Sequence, residues 1–302
     1  MEKVGIVILN YLNYQDTIDC IDSLNIDLYN NKEIIIVDNY SKNESYNILN
    51  DLYKNNKHIH VIKNDCNSGF AKGNNIGIEY AKNVLDCSHV LLLNSDTVIK
   101  CNDFIKSFVE SYESGVGIIG CRIVTLEGIE QNPHRLNIHK NDIVDKLYKL
   151  KNDKLSIREK AYSIKSYKIL EEFILRRSRI KRNKDKVKNN ISSLDLVLHG
   201  ACMMLTKDYF EYYPYLYPET FLYCEEDILT ILTRKVGLKK LFINNIFIEH
   251  KEGQSSKASF KDKNSIKAKY YLESYNKCYE LFDMKYEDIC DKYFTNKREV
   301  SI

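Results

Sequence analysis

At 302 residues, with 44% hydrophobic and 29% charged side chains, the chain has the composition of a soluble globular protein and can bury one large α/β domain with an appendage, or two small domains. Nine scattered cysteines without a CxxC pair argue for reduced thiols in the cytosol; the N-terminal apolar run is too short for a signal peptide and no segment reaches the ~18 apolar residues of a span, so any membrane contact is expected to be peripheral. The net charge of +3 is unevenly spread, because residues 140–190 hold 17 Lys or Arg against 7 Asp or Glu, a local +10 that leaves −7 for the rest.

In chain order, VGIVILN from Val4 and EIIIVDN from Glu33 are short β-branched runs with polar borders. The stretch Asp16–Leu24 between them, with Ile18, Ile21 and Leu24 in helical spacing, predicts a connecting helix. HIHVIKN from His58 and HVLLLNSD from His89 predict further strands around a helix that begins near Gly73. Apolar strands alternating with helices predict a mainly parallel central sheet covered on both faces, with ligands at the carboxyl ends of its strands. Asn10, Asp38, Asn64 and Asp96 fall at such ends. GVGIIGCRIV from Gly115 reads as another strand, and residues 141–190 as a polar, helix-compatible insertion ending in the basic RRSRIKRNKDKVK. The α/β pattern returns with LDLVLHGACMML, a helix in FLYCEEDILTILTRKVGL, and the strand KLFINNIFIEH ending at His250; the remaining residues are helical and carry no recognisable chemistry.

Several of these positions suit a nucleotide ligand. A carboxylate at Asp38, followed by Asn39 and Ser41, can accept hydrogen bonds from a nucleobase imide or a ribose hydroxyl, although Asp-Asn also makes an ordinary turn. In NDCNSGFAKGNNIG, Gly69, Gly73 and Gly77 permit close backbone approach, and Asn67, Asn74, Asn75 and a helix N-terminus offer donors to an anionic or sugar ligand. The spacing fits neither a dinucleotide fingerprint nor a P-loop. In LLLNSDT, Asn94 and Asp96 occupy alternate positions past an apolar strand and suit Mg²⁺ or Mn²⁺ shared with diphosphate oxygens and water.

The ordered set ILNY(x)N, IIIVDNxS, NxGFAxGNNxG, LLLNSDT, HGACMML, FLYCEED and a late strand ending in His resembles the family 2 glycosyltransferases, in particular their rhamnosyltransferase-like branch with the GT-A fold. The likeness covers about residues 4–255, interrupted by the basic segment, and rests on the order of the motifs. It implies an α/β GT-A domain in two halves, residues 1–137 for the nucleotide-sugar and 193–255 for acceptor and catalysis, separated by a basic helical insertion (138–192) and followed by a helical tail (256–302). Asn10, Tyr11 and Asp38 would hold the nucleoside, with Asn39, Asn67, Gly69, Lys72, Asn74, Asn94 and Ser95 completing the donor site. Asn94 and Asp96 stand where the family has its DxD motif, Asn replacing the first acid, and His250 resembles a late histidine that contacts metal or phosphate.

An inverting transfer needs a base opposite the leaving diphosphate. Among Glu225, Glu226 and Asp227 the family register makes Glu226 the base, and a shift of one residue makes it Asp227. Like-charge crowding should raise at least one carboxyl pKa. His199 and Gly200 resemble the stretch that backs the acceptor or phosphate site, though a packed histidine is an equal reading of His199. The basic segment reads either as a solvated insertion or as peripheral attachment to the anionic inner face of a membrane, and no nucleic-acid signature accompanies it. The expectation is a cytoplasmic, divalent-metal-dependent inverting glycosyltransferase that extends a glycan or lipid-linked glycan, as in capsule or lipopolysaccharide. A silent nucleotide-sugar or glycan-binding scaffold and, more distantly, a sugar nucleotidyltransferase are the alternatives.

Overall fold

The β-branched runs of the first third become strands β1 (Val4–Asn10), β2 (Lys32–Asp38), β3 (Ile59–Lys63) and β4 (His89–Asn94), joined by helices α1 (Tyr14–Leu24), α2 (Ser45–Tyr53) and α3 (Gly69–Asn83). The computed structural model describes residues 2–151, 190–252 and 263–294. Alternation along each strand sorts side chains between two cores. Ile6, Ile8, Ile34, Ile36, Leu91 and Leu93 enter one, and Val7, Ile35, Val37, Val90 and Leu92 the other.

After β4 come β5 (Thr97–Ile99), α4 (Phe104–Glu110), β6 (Val116–Thr125) and α5 (Lys140–Lys151), then β7 (Ile191–Ser193), β8 (Cys202–Leu205), α6 (Lys207–Phe210), α7 (Glu225–Lys235), β9 (Lys239–His250), α8 (Lys263–Asp283) and α9 (Tyr286–Tyr293). Among the described residues the sheet runs β3-β2-β1-β4-β8-β6-β9-β5, with β7 also on β9. It is parallel from β3 to β4 and mixed beyond, since β8 runs antiparallel to both β4 and β6 while β5 and β7 run antiparallel to β9. The mainly parallel sheet expected from the sequence is therefore only half right. Apolar periodicity reports burial, whereas connections set strand direction. The reversal has a useful result: His199 and Gly200, which precede β8, lie at the same sheet edge as the carboxyl ends of β1, β2 and β4.

Helix α3 starts at Gly69, one turn before the predicted Gly73, because its first donors find partners: Gly69 N–H on Asn67 Oδ1 at 3.1 Å and Phe70 N–H on Phe221 O at 2.8 Å. A Cβ at Gly73 would stand 2.7 Å from Leu9, and one at Gly77 2.4 Å from Val7, so these glycines seat α3 on β1 rather than line a ligand. The start of the insertion also differs from a purely solvated one. Ile143 and Leu147 of α5 are buried, α5 packs on α8, and α8 packs on α7. Residues 152–189, which hold most of the basic charge and the expected membrane contact, lie outside the described residues. Among the described residues no helix is long and apolar enough to cross a membrane.

Candidate active site

Asn10 and Asp38 are paired residues at the ends of β1 and β2, and both are fully buried. Asn10 Nδ2 donates to Asp38 Oδ2 at 2.7 Å, Thr17 Oγ1 donates to Asn10 Oδ1 at 2.8 Å, and Ser41 N–H donates to Asp38 Oδ1 at 2.9 Å. Half-buried Tyr11 follows in a loop tied down by Leu12 N–H on Ser41 Oγ at 2.8 Å. Leu12 and Tyr40 hold left-handed φ values of 64° and 65°, so both loops at this edge carry backbone strain. Asn39 is an organiser: its amide serves Asn67 Oδ1 and Gly69 O, both at 3.1 Å, while its oxygen accepts from Asn64 at 2.9 Å and Ser68 N–H at 3.1 Å. Asn74 is buried and donates to Phe70 O at 2.9 Å. Lys72 stands apart, in a separate depression where it pairs with Glu219 at 3.8 Å.

Asn94 ends β4, and the turn Ser95–Asp96, with both side chains buried, leads into β5. Because Thr97 of β5 pairs with His250 of β9, Asp96 Oδ1 comes within 3.3 Å of His250 Nε2. The tautomer of His250 follows from its other side. Gln131 donates its amide to Glu252, so its oxygen faces His250 Nδ1 at 2.8 Å and that nitrogen carries the proton. A bare Nε2 then faces a carboxylate oxygen, an arrangement that calls for a cation or a proton between them. Oxygen and imidazole donors at about the spacing of adjacent ligands fit Mg²⁺ or Mn²⁺. Among the described residues no three His, Cys, Asp or Glu side chains gather into a metal cage.

Beside this pair opens a cleft of about 310 Å³ lined by Asn94, His199, Gly200, the acidic triplet and residues of α5 and α8. Glu226 Oε1 accepts from Gly200 N–H at 3.0 Å, and a Cβ at position 200 would meet that oxygen at 2.9 Å, so glycine lets the carboxyl sit against the backbone. Asp227, almost fully buried, is ion-paired with Arg135. Glu225 has a buried Oε1 without a hydrogen-bond partner; burial first, then the charge of Glu226, pushes its pKa up to about 8. The expected crowding effect is present but secondary to desolvation. Ala201 N–H donates to His199 Nδ1 at 3.1 Å, which leaves the ring proton on Nε2, and burial lowers the His199 pKa to about 4. His199 therefore presents a neutral donor, 5.7 Å from the His250 ring.

Two consecutive left-handed residues, Tyr223 at φ 74° and Cys224 at φ 67°, aim the triplet into the cleft. Such residues cost about 1–2 kcal/mol each. Surrounding structure holds them. Gly69, at φ +79°, brings its backbone against Phe221, where any Cβ would lie 2.2 Å from the carbonyl oxygen. Tyr271 of α8 stacks on Tyr223 with centroids 4.2 Å apart, and Ser274 donates to Leu222 O at 2.9 Å. The cleft thus also uses Arg135, Lys146, Tyr271 and Tyr275, which the sequence reading did not single out. The YYLESY pattern of α8 was the available signal, since it sets tyrosines four residues apart on one helix face.

A half-parallel sheet with polar and acidic groups gathered at one edge defines a GT-A-type transferase fold, and solved structures agree. TarS residues 1–349 from S. aureus match with a TM-score of 0.51 at 12% identity, over 93% of this chain and 72% of that one. A mannosyltransferase from Pyrobaculum calidifontis, solved with GDP-Man and Mn²⁺, matches with a TM-score of 0.53 at 10% identity, over 92% and 64%. The profile of Glycosyl transferase family 2 matches residues 5–213, and the chain belongs to that family. The low-salt glycan biosynthesis hexosyltransferase Agl10 of Haloferax volcanii is 26% identical over 226 residues, 75% of this chain and 60% of that protein. The glycosyltransferase GlyG of Streptococcus pneumoniae is 26% identical over 118 residues, 39% of this chain and 38% of that protein. The chain thus spans less than two thirds of the length of either relative.

Proposed function

We propose that this chain transfers a sugar, with inversion, from a nucleotide-diphospho-sugar to a hydroxyl of a glycan or lipid-linked glycan, with Glu226 as the base. The observation that carries this reading is Glu226 itself, held on Gly200 N–H at 3.0 Å in the cleft beside the Asp96–His250 pair. Its neighbours are poorly suited to the role: Arg135 neutralises Asp227, and Glu225 keeps its proton at neutral pH. As the acceptor oxygen bonds to the anomeric carbon, its proton passes to Glu226, and the electron pair of the breaking C–O bond leaves with the nucleoside diphosphate. Asp96 and His250, with Asn94 beside them, would hold a divalent cation, which as a Lewis acid stabilises negative charge on the departing oxygens. His199 Nε2–H would donate to a phosphate oxygen, and Tyr11, in the loop that buried Asn10 and Asp38 hold in place, would face the nucleoside.

Support for a nucleotide-sugar donor comes from the fold relatives, one bound to GDP-Man with Mn²⁺ and TarS bound to UDP-GlcNAc with a TM-score of 0.50. A role in surface polysaccharide synthesis, at the cytoplasmic face of a membrane, draws on the glycan-biosynthesis relative and on the charge of residues 140–190. The test is nucleotide release from UDP-, dTDP- and GDP-sugars with a glycan acceptor, with and without Mn²⁺, followed by NMR of the product anomer. Release that needs Mn²⁺ and yields the inverted anomer is expected. Donor binding without release from any sugar, or retention of configuration, contradicts the proposal.

A further inference from the structure

Two cations and a stack of tyrosines share the cleft with the acidic triplet, and neither Lys146 nor the rings enter the chemistry proposed above. Arg135 is already paired with Asp227. Lys146 of α5 is not: it is half-buried, has no ion pair among the described residues, and its Nζ lies 4.9 Å from the centre of the Tyr275 ring. Burial first, and then repulsion from Arg135, hold its pKa below the usual lysine range. A half-buried ammonium facing another cation is unfavourable until an anion arrives. Glu225 does not supply that anion at neutral pH, since it keeps its proton, and its buried Oε1 still lacks a partner.

Aromatic rings border these charged groups. Tyr223 and Tyr271 stack with centroids 4.2 Å apart and planes 11° from parallel, and Tyr275 lies 18° from parallel with Tyr271 at 5.8 Å, so the three rings form one stack beside the cleft. The ring surface that such a stack leaves uncovered can pack on the C–H face of a sugar. A volume of about 310 Å³ is at the small end of ligand pockets and suits one sugar ring with one charged substituent. Lys146 and Glu226 line this cleft together, whereas neither Asp96 nor His250 does.

We propose, on the transferase reading above, that this cleft is the acceptor site and selects an acceptor whose sugar carries an anionic group, a phosphate or a carboxylate, paired with Lys146 beside the tyrosine stack. The anion completes the charge of Lys146, and the ring places a hydroxyl before Glu226. Selectivity follows from the cost of leaving that cation unpaired when a neutral sugar binds.

The test is calorimetric titration of the full chain with glucose 1-phosphate, glucuronic acid and methyl α-glucoside, with UDP, dTDP and GDP all present to fill the donor site. At least one anionic sugar should bind about tenfold or more tighter than the methyl glucoside, the effect of one charge-assisted hydrogen bond. Lys146→Met and Lys146→Gln should both erase that preference without weakening methyl glucoside binding or lowering Tm, and Lys146→Arg should restore part of it. A preference for the phosphate points to a glycosyl phosphate such as that of a lipid carrier; one for the carboxylate points to a uronic acid. Equal binding of all three, binding of none, or a preference that survives Lys146→Met overturns the proposal. So does a preference that disappears when the nucleotides are added, which would assign Lys146 to the donor diphosphate. Loss of this preference leaves sugar transfer standing, whereas absence of donor turnover removes the acceptor role while leaving the binding result intact.

Discussion

The two ends of the site are built in opposite ways. At the ends of β1 and β2, Asn10, Asp38, Thr17 and Ser41 form a closed polar network without exposed side-chain surface on Asn10 or Asp38. Around α7 the groups are left unsettled: Glu225 Oε1 has no partner, Lys146 lacks a counter-ion among the described residues, and Tyr223 and Cys224 are strained. The contrast teaches where each region spends its interactions. Both ends carry left-handed residues, but a network satisfied within the protein fixes loop shape, whereas unsatisfied polar groups are left for a ligand.

Substitutions should separate the two behaviours. The largest loss of stability is expected from Asp38→Ala, which strands the Asn10 amide and the Ser41 N–H and should cost about 3 kcal/mol in urea unfolding. A loss well below 1 kcal/mol would mean that the network is not what holds these loops. Gly69→Ala comes next, at about 2 kcal/mol, because alanine resists φ +79° and its Cβ meets Phe221 O. Since Phe221 precedes the strained turn, turnover should fall together with Tm, and unchanged turnover would uncouple the two.

The effect sharpest in sign, and the one that depends on pH, belongs to Glu225→Gln. The folded pKa of about 8 lies above the ordinary 4.5, so between these values the folded chain binds the extra proton and stability falls as pH rises. The glutamine variant should match the parent in Tm below pH 4.5 and exceed it above about pH 8. A Tm difference independent of pH would contradict the buried, protonated carboxyl.

Much of this contrast is legible in the chain itself. Apolar alternation with polar borders suffices to put Asn10, Asp38 and Asn94 at strand ends, and the pairing of β5 with β9 then brings Asp96 to His250. Strand direction is not legible, because β8 has the same burial pattern whichever way it runs. The role of the glycines is hidden for a related reason: Gly69 is permissive toward ligand or backbone alike, and only the docking of Phe221 decides. Choosing among the three acids needs Arg135 and Gly200, and the tyrosine stack needs α8, all brought there by tertiary packing. The resemblance favours Glu226, and the contacts add a physical argument for the same choice.

The central claim is that Glu226 alone of the triplet takes the acceptor proton. Turnover of Glu226→Gln, compared with Asp227→Asn and Glu225→Gln on one donor and acceptor pair, tests it most directly. The account predicts a loss of about 10²–10⁴ in kcat for Glu226→Gln with nucleotide affinity unchanged, and smaller losses for the other two. Near-normal turnover by Glu226→Gln, with the large loss falling on Asp227→Asn instead, would contradict it.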